Sequence, residues 1–466
     1  MRKSPYALAA GMLALAGCTV QGPPPGVAAA TPLQWQAPLP HQGNVQELRH
    51  WWQQQGDALL VELIADAQEA SPTIATARTR IVQSRADRVA SGAALAPTLD
   101  ATGSVVRTSQ QSAQPGGTTS QAALQASWEI DVFGANRATR DAAQARYDSA
   151  QAGWHDARVS VAAEVANQYY QLRACRQLQA VAEQDAASRS DTARLTQLSA
   201  DAGFQPPANA ALARASAADG ASRAIEQRAA CDSNVKALVA LSAMPEPQLR
   251  SKLAASAEVP LSPATVAALP AQLLSQRPDI FSAEREVAAA SFEVAGAQAQ
   301  RYPRLSLAGS IGAGNIRAGG SSISASTWSI GPLAVSLPVF DGGRRRAQVD
   351  AAKARYDEAV VSYRASVRQA VREVEDALLS LQSTEERSSH AQTSLEGYRV
   401  AFVATEDRYK NGLASLLELE DARRTRLAAE NTVVSLARER NAAWVALYRA
   451  AGGGWNTTTL ASTDNP

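Results

Sequence analysis

The sequence predicts a mainly α-helical protein with a small membrane β part, and three observations lead to this fold class. First, the 466 residues are 45% hydrophobic but only 5% aromatic, and much of the apolar share is alanine, which packs helix closely against helix. Second, long stretches repeat apolar residues at every third or fourth position. Third, four segments alternate apolar and polar residues as membrane strands do. We therefore expect long antiparallel coiled-coil helices plus four β-strands per chain.

The charge balance excludes several classes of function. The chain has 45 basic and 44 acidic residues, a net charge of +1, which gives no electrostatic footprint for nucleic acid. Its four scattered histidines and three cysteines form no standard zinc cluster. No spacing suggests a set of nucleophile, base and acid, and no phosphate-binding loop is present. We expect no catalytic residues, no metal, and no cofactor other than a covalent lipid.

The N-terminus has the pattern of a bacterial lipoprotein signal. An apolar run from Tyr6 to Ala16 is too short to span a bilayer as a helix. It leads into Leu15-Ala16-Gly17-Cys18, which resembles a lipobox; the alternative is an ordinary secretory signal with an incidental cysteine. We expect residues 1–17 to be removed and Cys18 to carry lipid, which anchors the chain without spanning the membrane. Residues 18–45 then form an extended, lipidated tether.

The chain is an internal duplication. The prolines of Ser71-Pro72-Thr73-Ile74 and Arg277-Pro278-Asp279-Ile280 lie 206 residues apart, and Ala145-Arg146-Tyr147-Asp148 recurs 209 residues later. A repeat this long is not a solenoid unit and indicates two similar halves, each with the order helix, hairpin, long helix, turn, helix. The predicted divisions are a first repeat at 46–243, an equatorial linker at 244–277, a second repeat at 278–455 and a flexible tail at 456–466.

The clearest long helix lies in the second half, from about Arg344 to Lys410, with no proline. At 1.5 Å per residue such a helix is on the order of 100 Å long. Asn411-Gly412 is a good C-terminal stop, and a second helix returns to about residue 450, so that 344–450 forms a helical hairpin. The first half is predicted to reverse likewise near Gly203. The apolar seam of the long helix comprises Val360, Tyr363, Val367, Val371, Val374, Leu378 and Leu381.

Two cysteines remain once Cys18 carries lipid. Cys175 lies 28 residues before Gly203, and Cys231 lies 28 residues after it. In an antiparallel hairpin that turns near Gly203 the two would be level, and an exported chain meets an oxidising compartment. We predict a Cys175–Cys231 disulfide that staples two helices; the alternative is a pair of buried free thiols.

Alternating segments of about ten residues predict two β-hairpins, at about 98–132 and about 304–340. We expect a polar loop from Thr108 to Ser120 in the first, and a Gly/Ser-rich loop from about Gly314 to Ser326 in the second. Soluble edge hairpins are the alternative. Because open strand edges are not tolerated in lipid, several chains would have to pool their strands. Three chains would give twelve strands, which is wide enough for a channel.

Together these features resemble the TolC-type outer-membrane efflux proteins, in particular their lipoprotein branch (OprM-like or NodT-like). The resemblance implies a trimer with a twelve-stranded barrel and a periplasmic helical tunnel, surrounded by outer-membrane lipids. It also implies a passive conduit for drugs or other small molecules, whose tip meets a periplasmic membrane fusion (adaptor) protein fed by an inner-membrane RND-type pump. The motifs that carry it are Trp51-Trp52, Leu269 to Ile280, Pro338 to Arg344 and Ala446 to Trp455.

Two other functions stay open. One is an outer-membrane duct for type I protein secretion, and the other is a non-transporting periplasmic scaffold or adaptor lipoprotein. An adaptor would normally have one helical hairpin flanked by lipoyl-like β-domains, whereas this sequence predicts two hairpins and four membrane-type strands.

The resemblance also points to a periplasmic gate near the second helical turn. Glu418 and Asp421 lie three residues apart on one helix face, and Arg424 follows. In this family, acidic residues at this place ring the closed end of the tunnel, and neighbouring arginines tie helices together. Three copies would form an acidic constriction that favours cations. The alternative is an ordinary solvated helix face with a charge pair.

Overall fold

The computed structural model describes residues 20–37, 51–109, 116–256 and 273–455. The signal segment, Cys18 and the tail therefore lie outside the described residues. The elements are α1 (Trp51–Gln54), α2 (Ala58–Ala70), α3 (Pro72–Ala93), β1 (Thr98–Thr108), β2 (Gly117–Ile130), α4 (Ala135–Asp201), α5 (Pro207–Ser242), α6 (Glu246–Ala255), α7 (Pro278–Ala299), β3 (Arg304–Ala318), β4 (Ser321–Ser336), α8 (Arg344–Lys410) and α9 (Leu416–Ala450).

The elements repeat in order and length, as the duplicated sequence predicts. Helices α3 and α7 both have 22 residues and begin at the repeated prolines, Pro72 and Pro278. Helices α4 and α8 both have 67 residues, and the predicted long helix from Arg344 to Lys410 is confirmed. The returning helices α5 and α9 have 36 and 35 residues. No helix in the described ranges is both long enough and apolar enough to cross a membrane.

The chain divides into two compact units, each of which draws on both sequence repeats. The first unit contains the sheet and the helical segments next to it along the chain, and the second contains both helical turns. The first comprises Met1–Ala29, Arg78–Ala152 and Ile280–Ser366; the second comprises Ala30–Ala77, Gly153–Asp279 and Val367–Pro466.

In the described residues, the four strands form one antiparallel sheet of order β1-β2-β3-β4, which lies in the first unit. The β2–β3 pairing joins the two predicted hairpins, and the register places Leu124 opposite both Ala101 and Ile311, with Trp328 opposite Ile311. Residues directly opposite one another share a face of the sheet. The alternating pattern of all four strands therefore produces one apolar and one polar face, and the apolar side chains are largely exposed.

The prediction of a long Gly/Ser-rich loop in the second hairpin is wrong. Strands β3 and β4 continue to Ala318 and from Ser321, so that only Gly319 and Gly320 form the turn. Both glycines have positive φ, at 60° and 84°, which two-residue hairpin turns require. Serines and glycines that looked like a loop are strand residues here because each still pairs across the ladder. In the first hairpin, β2 likewise begins at Gly117 rather than after Ser120.

A register shift between Leu307 and Gly309 keeps Trp328 and Ile330 of β4 on the same face of the sheet as Leu333 and Val335. Leu307 pairs with Leu333, whereas Gly309 pairs with Ile330, so the alternation of β4 changes phase in between. A bulge of this kind adds one residue to one strand. The sequence pattern from Leu333 onward missed Trp328 and Ile330 because they lie on the other side of this phase change.

Each 67-residue helix begins with an aspartate cap. The Asp131 carboxylate accepts hydrogen bonds from the backbone N–H groups of Asn136 and Arg137, at 3.1 and 2.8 Å. At the start of α8 the Asp341 carboxylate accepts the N–H of Arg345 at 3.2 Å, and the Arg345 guanidinium contacts it at 3.0 Å. A carboxylate at this position satisfies free N–H groups and favours the helix dipole.

The core of the second unit uses the motif residues for packing. Trp51 stacks on Tyr448 with ring centroids 5.1 Å apart, and Trp52 meets the same ring edge-on at 4.9 Å. Buried Arg277 binds Asp279 and Glu373 at 2.7 and 2.9 Å and donates to the Ala450 carbonyl at 2.9 Å. This arginine therefore joins the start of α7, the middle of α8 and the end of α9.

The described part of the expected tether is docked on the protein. In the first unit, the Tyr356 hydroxyl donates to the Pro24 carbonyl at 2.9 Å, and Ser291 donates to the Pro23 carbonyl. In the second unit, the Glu375 carboxylate accepts the N–H groups of Gln36–Ala37, at 2.7 and 2.8 Å. A free extended linker was expected from its Pro, Gly and Ala content, but backbone hydrogen bonds hold it in place.

Helices α4 and α5 carry Cys175 and Cys231 level with each other, with the two Sγ atoms 2.08 Å apart and the Cα atoms 5.5 Å apart. Both cysteines are buried. Near them, the Gln227 side-chain amide donates to the Cys175 Sγ atom at 3.2 Å. This geometry allows a disulfide to link α4 to α5 within the helical hairpin.

We expect Cys175→Ser/Cys231→Ser to lower the free energy of unfolding by about 4 kcal/mol, because the bond closes a loop of 56 residues in the unfolded chain. Urea denaturation followed by circular dichroism measures the loss, and reducing agent should affect only the wild-type protein. A non-reducing peptide map of exported protein is the direct test. Two free thiols in that map would contradict the prediction.

Candidate functional site

The predicted gate residues lie in the first turns of α9, just after the chain reverses between α8 and α9. Gly412 has a φ of 74°, the left-handed conformation that ends a helix. Ser415 then caps α9: its Oγ accepts the Glu418 N–H at 3.2 Å, and its own N–H donates to the Glu418 carboxylate at 2.6 Å. These hydrogen bonds from Ser415 lower the pKa of Glu418. Glu418 thus has a structural task, because this reciprocal capping box fixes the start of the helix.

Asp421 and Arg424 form a separate pair one turn further along α9. The Arg424 guanidinium lies 2.5 Å from the Asp421 carboxylate, and the two side chains keep 77% and 61% of their surface exposed. An exposed pair of this spacing contributes little to stability. The structure therefore brings Asp421 and Arg424 together on an open surface, while Glu418 is engaged with Ser415.

A buried charge network next to these residues was missed by the sequence reasoning. On α4, Arg189 binds Asp185 at 2.8 Å; on α9, Arg423 binds Glu420 at 2.5 Å. Arg189 also pairs with Glu420 across the two helices, and Arg423 Nε lies 4.0 Å from Asp185. Arg423 has no exposed surface. We call these four residues the buried network; it joins α4 to α9 close to the exposed pair.

Neighbouring residues complete the buried network. Arg423 donates to the Thr192 and Ser188 hydroxyls at 2.9 and 3.2 Å, which satisfies part of its guanidinium. Burial lowers the pKa of Arg423, and nearby Glu420 opposes that shift. On α5, Gly220 leaves room for Arg189, because a Cβ atom there would lie 2.7 Å from the Arg189 Cδ. The absent side chain at position 220 therefore allows the arginine to lie between helices.

One sequence signal could have located the buried network. Asp185 and Arg189 are four residues apart, and Glu420 and Arg423 are three apart, both spacings that pair charges on one helix face. Such pairs usually face solvent, so the sequence alone favours exposure. Elsewhere in the described ranges, no group of three His, Cys, Asp or Glu side chains is placed to hold a metal ion.

A four-stranded sheet whose apolar face is exposed has the pattern of transmembrane β-strands, which indicates an outer-membrane protein. The chain belongs to the outer membrane efflux protein family, whose model matches residues 63–243 and 269–453. The two matched segments begin 206 residues apart, which is also the distance in sequence between the repeated prolines Pro72 and Pro278. The protein is therefore an outer-membrane efflux component.

Individual relatives agree with this assignment. The chain is 30% identical to the pyoverdine export outer membrane protein OpmQ of Pseudomonas putida over 455 residues, which cover 95% of this chain and 96% of the relative. The outer membrane protein VceC of Vibrio cholerae is 27% identical, with a TM-score of 0.77 over 88% of this chain and 99% of VceC. The CmeC outer membrane channel of Campylobacter jejuni, at 23% identity, shares the fold with a TM-score of 0.85 over 94% of this chain and 96% of CmeC.

Proposed function

We propose that the protein is a passive conduit in the outer membrane, without enzyme activity, that exports small molecules delivered by a pump. The observation that carries this proposal is the four-stranded sheet with one apolar and one polar face. Lipid covers the apolar face and water fills the space against the polar one, as membrane strands require. The name of the Pseudomonas putida relative, which records pyoverdine export, supports export of a compound rather than of a protein.

Three copies complete the channel in this proposal. Strands β1 and β4 are the two edges of the sheet, and unpaired backbone groups at an edge are not tolerated in lipid. Pairing β1 of one copy with β4 of the next removes every edge, and three copies give a twelve-stranded barrel. Lipid on Cys18 adds an anchor to this assembly.

The helical turns are the proposed contact for a periplasmic adaptor protein. An RND-type pump in the inner membrane would pass its substrates to this adaptor. Phe204, at the first turn, keeps 84% of its surface exposed, and Leu413, at the second, keeps 69%. In the proposed trimer the three copies of these side chains would lie together at the turns, and a contiguous apolar patch marks a protein contact. A scaffold or adaptor lipoprotein would also expose such residues, but it would leave the apolar face of the sheet in contact with water.

Purification from outer membranes, followed by mass determination and single-channel recording, tests the proposed function. We expect a trimer that inserts into planar bilayers and conducts ions. A water-soluble monomer without conductance would favour the scaffold, whereas a conducting trimer that depends on a type I exporter would favour protein secretion.

We further propose that the second helical turn is the periplasmic gate. The pair Asp421–Arg424 is exposed, so in the trimer it can contact the same pair of the neighbouring copies. The three Asp421 carboxylates then form a negatively charged ring that narrows the tunnel. Glu418 keeps the helix start rigid through its capping box. The buried network holds α9 against α4 behind this ring.

Replacing both gate residues, as Asp421→Ala/Arg424→Ala, is expected to increase single-channel conductance, because the ring loses its ion pairs. The matched control is Asp191→Ala/Arg194→Ala, another exposed pair with the same spacing, on α4. Planar-bilayer recordings of the three proteins measure the effect. Conductance that stays at the wild-type level in the Asp421/Arg424 variant would remove these residues from the gate.

A further inference from the structure

The outer parts of the two β-hairpins carry very few charges. Between Asp100 and Glu129, Arg107 is the one charged residue, and between Arg304 and Asp341 the one charged residue is Arg317. Acidic residues are absent from both stretches of sequence, including the segment that joins β1 to β2. Each hairpin therefore presents a single positive charge, with no carboxylate near it along the chain.

The register brings these two arginines to the same level of the sheet. Thr118 lies opposite Arg107 in the β1–β2 ladder and opposite Arg317 in the β2–β3 ladder. The arginines are thus two strands apart, about 10 Å between Cα atoms at the usual strand spacing. Both are exposed, and among the described residues neither takes part in an ion pair.

Both arginines project from the apolar face of the sheet rather than from the polar one. Positions opposite each other share a face, and alternation along β2 places Thr118 on the face of Leu124 and Ile130. The same alternation along β3 places Arg317 on the face of Ile311. An arginine on a face that lipid covers is costly unless it lies at the polar boundary of the bilayer.

The spacing along the strand puts the arginines at that boundary. From Ile130 to Thr118 the strand rises about 40 Å, which a tilt of about 40° reduces to roughly 30 Å along the membrane normal. An apolar band is about 25 Å tall, so the arginine level falls just beyond it. The side chains next to this level are polar, namely Ser120, Asn315, Ser322 and Ser324.

Helix α4 follows the Ile130 end of β2, so periplasmic helices put the arginine level on the outer side of the membrane. We propose that Arg107 and Arg317 form a binding site for the phosphate groups of an outer-leaflet lipid. The proposal rests on the proposed function, since it requires the apolar face to meet lipid. A guanidinium binds a phosphate through two parallel N–H groups, and two arginines whose Cα atoms lie about 10 Å apart suit a headgroup that bears more than one phosphate. The acyl chains of the same lipid then lie along the apolar face below the arginines.

Lipid A, a glycolipid with two phosphates, is the probe for this site. Native mass spectrometry of the detergent-purified assembly, with lipid A added stepwise, gives an apparent dissociation constant. Arg107→Gln/Arg317→Gln is expected to weaken binding roughly 25-fold, at roughly fivefold for each arginine near a charged lipid surface. The matched control is Arg304→Gln, which removes an exposed arginine from the opposite end of β3 and should leave the constant unchanged.

Two results would overturn the lipid site. Equal binding of lipid A by the wild-type protein and the double variant would show that the arginines take no part. Displacement of lipid A by inorganic phosphate alone would show a site for free phosphate. Conductance of the same preparations separates the two proposals: a conducting double variant leaves the conduit intact whatever the lipid result, whereas a wild-type protein that neither inserts nor conducts contradicts the conduit itself.

Discussion

Leu124→Lys is expected to prevent stable insertion of the protein into the outer membrane. Leu124 lies near the middle of β2 on the apolar face, with Ala101 and Ile311 opposite it on the neighbouring strands. A lysine that faces lipid near the bilayer midplane costs about 2–4 kcal/mol. The proposed assembly repeats this cost in each of its three copies, so the total of about 6–12 kcal/mol is comparable with the whole free energy of unfolding of a typical protein.

The neighbouring residue supplies the control for this experiment. Gln125 follows Leu124 directly but lies on the polar face, opposite Asp100 and Ser310. Gln125→Lys introduces the same charge at the same depth, and we expect it to insert normally. The measurement is the fraction of protein that remains in outer membranes after urea extraction. If both lysine variants insert equally well, the assignment of the apolar face to lipid is wrong.

Arg423→Met is expected to be strongly destabilising. It leaves Asp185 and Glu420 with Arg189 as their nearest buried partner, and removal of one member of a buried ion pair costs about 3–5 kcal/mol. The midpoint of thermal unfolding, followed by circular dichroism, should fall by several degrees. The helix α9 should also separate more easily from α4, so single-channel conductance should rise.

Two further variants show whether the effect comes from buried charge. Arg424→Met changes the adjacent arginine, which keeps 77% of its surface exposed, and should leave the unfolding midpoint almost unchanged. Arg423→Met/Glu420→Gln removes an acid together with the arginine and leaves Asp185 balanced by Arg189. Stability in this double variant should recover in part, as coupled sites do in a double-mutant cycle. Equal losses in the single and double variants would contradict the network.

Periodicity was sufficient to predict the long helix α8, whereas the helix α6 (Glu246–Ala255) lies in the segment predicted as a linker. The bounds of α8 follow from a seam in which Val367, Val374, Leu378 and Leu381 are buried, and from Gly412 as a stop. The two halves align in the sequence because short motifs, such as the prolines 206 residues apart, recur at a nearly constant offset. The number of residues between each cysteine and Gly203 likewise placed Cys175 and Cys231 level.

The parts that sequence reasoning missed depend on contacts between distant residues. Burial of Arg423 cannot be read from its own helix, because Asp185 and Thr192 on α4 satisfy it. The capping role of Glu418 depends on Ser415, which the search for a gate did not consider. The two-residue turn at Gly319–Gly320 was missed because the serines around it resemble a loop in sequence. Their partners on the neighbouring strand identify them as strand residues.

The open edges of the sheet have a consequence for the amount of protein a cell must make. A single chain leaves β1 and β4 unpaired, so in the proposed trimer no copy can enter lipid alone. The yield of channels then depends on the concentration of unassembled chains raised to the third power, as mass action requires. A cell that halves synthesis of this protein would therefore lose far more than half of its newly formed channels while chains are scarce. Efflux capacity becomes a steep function of gene dosage.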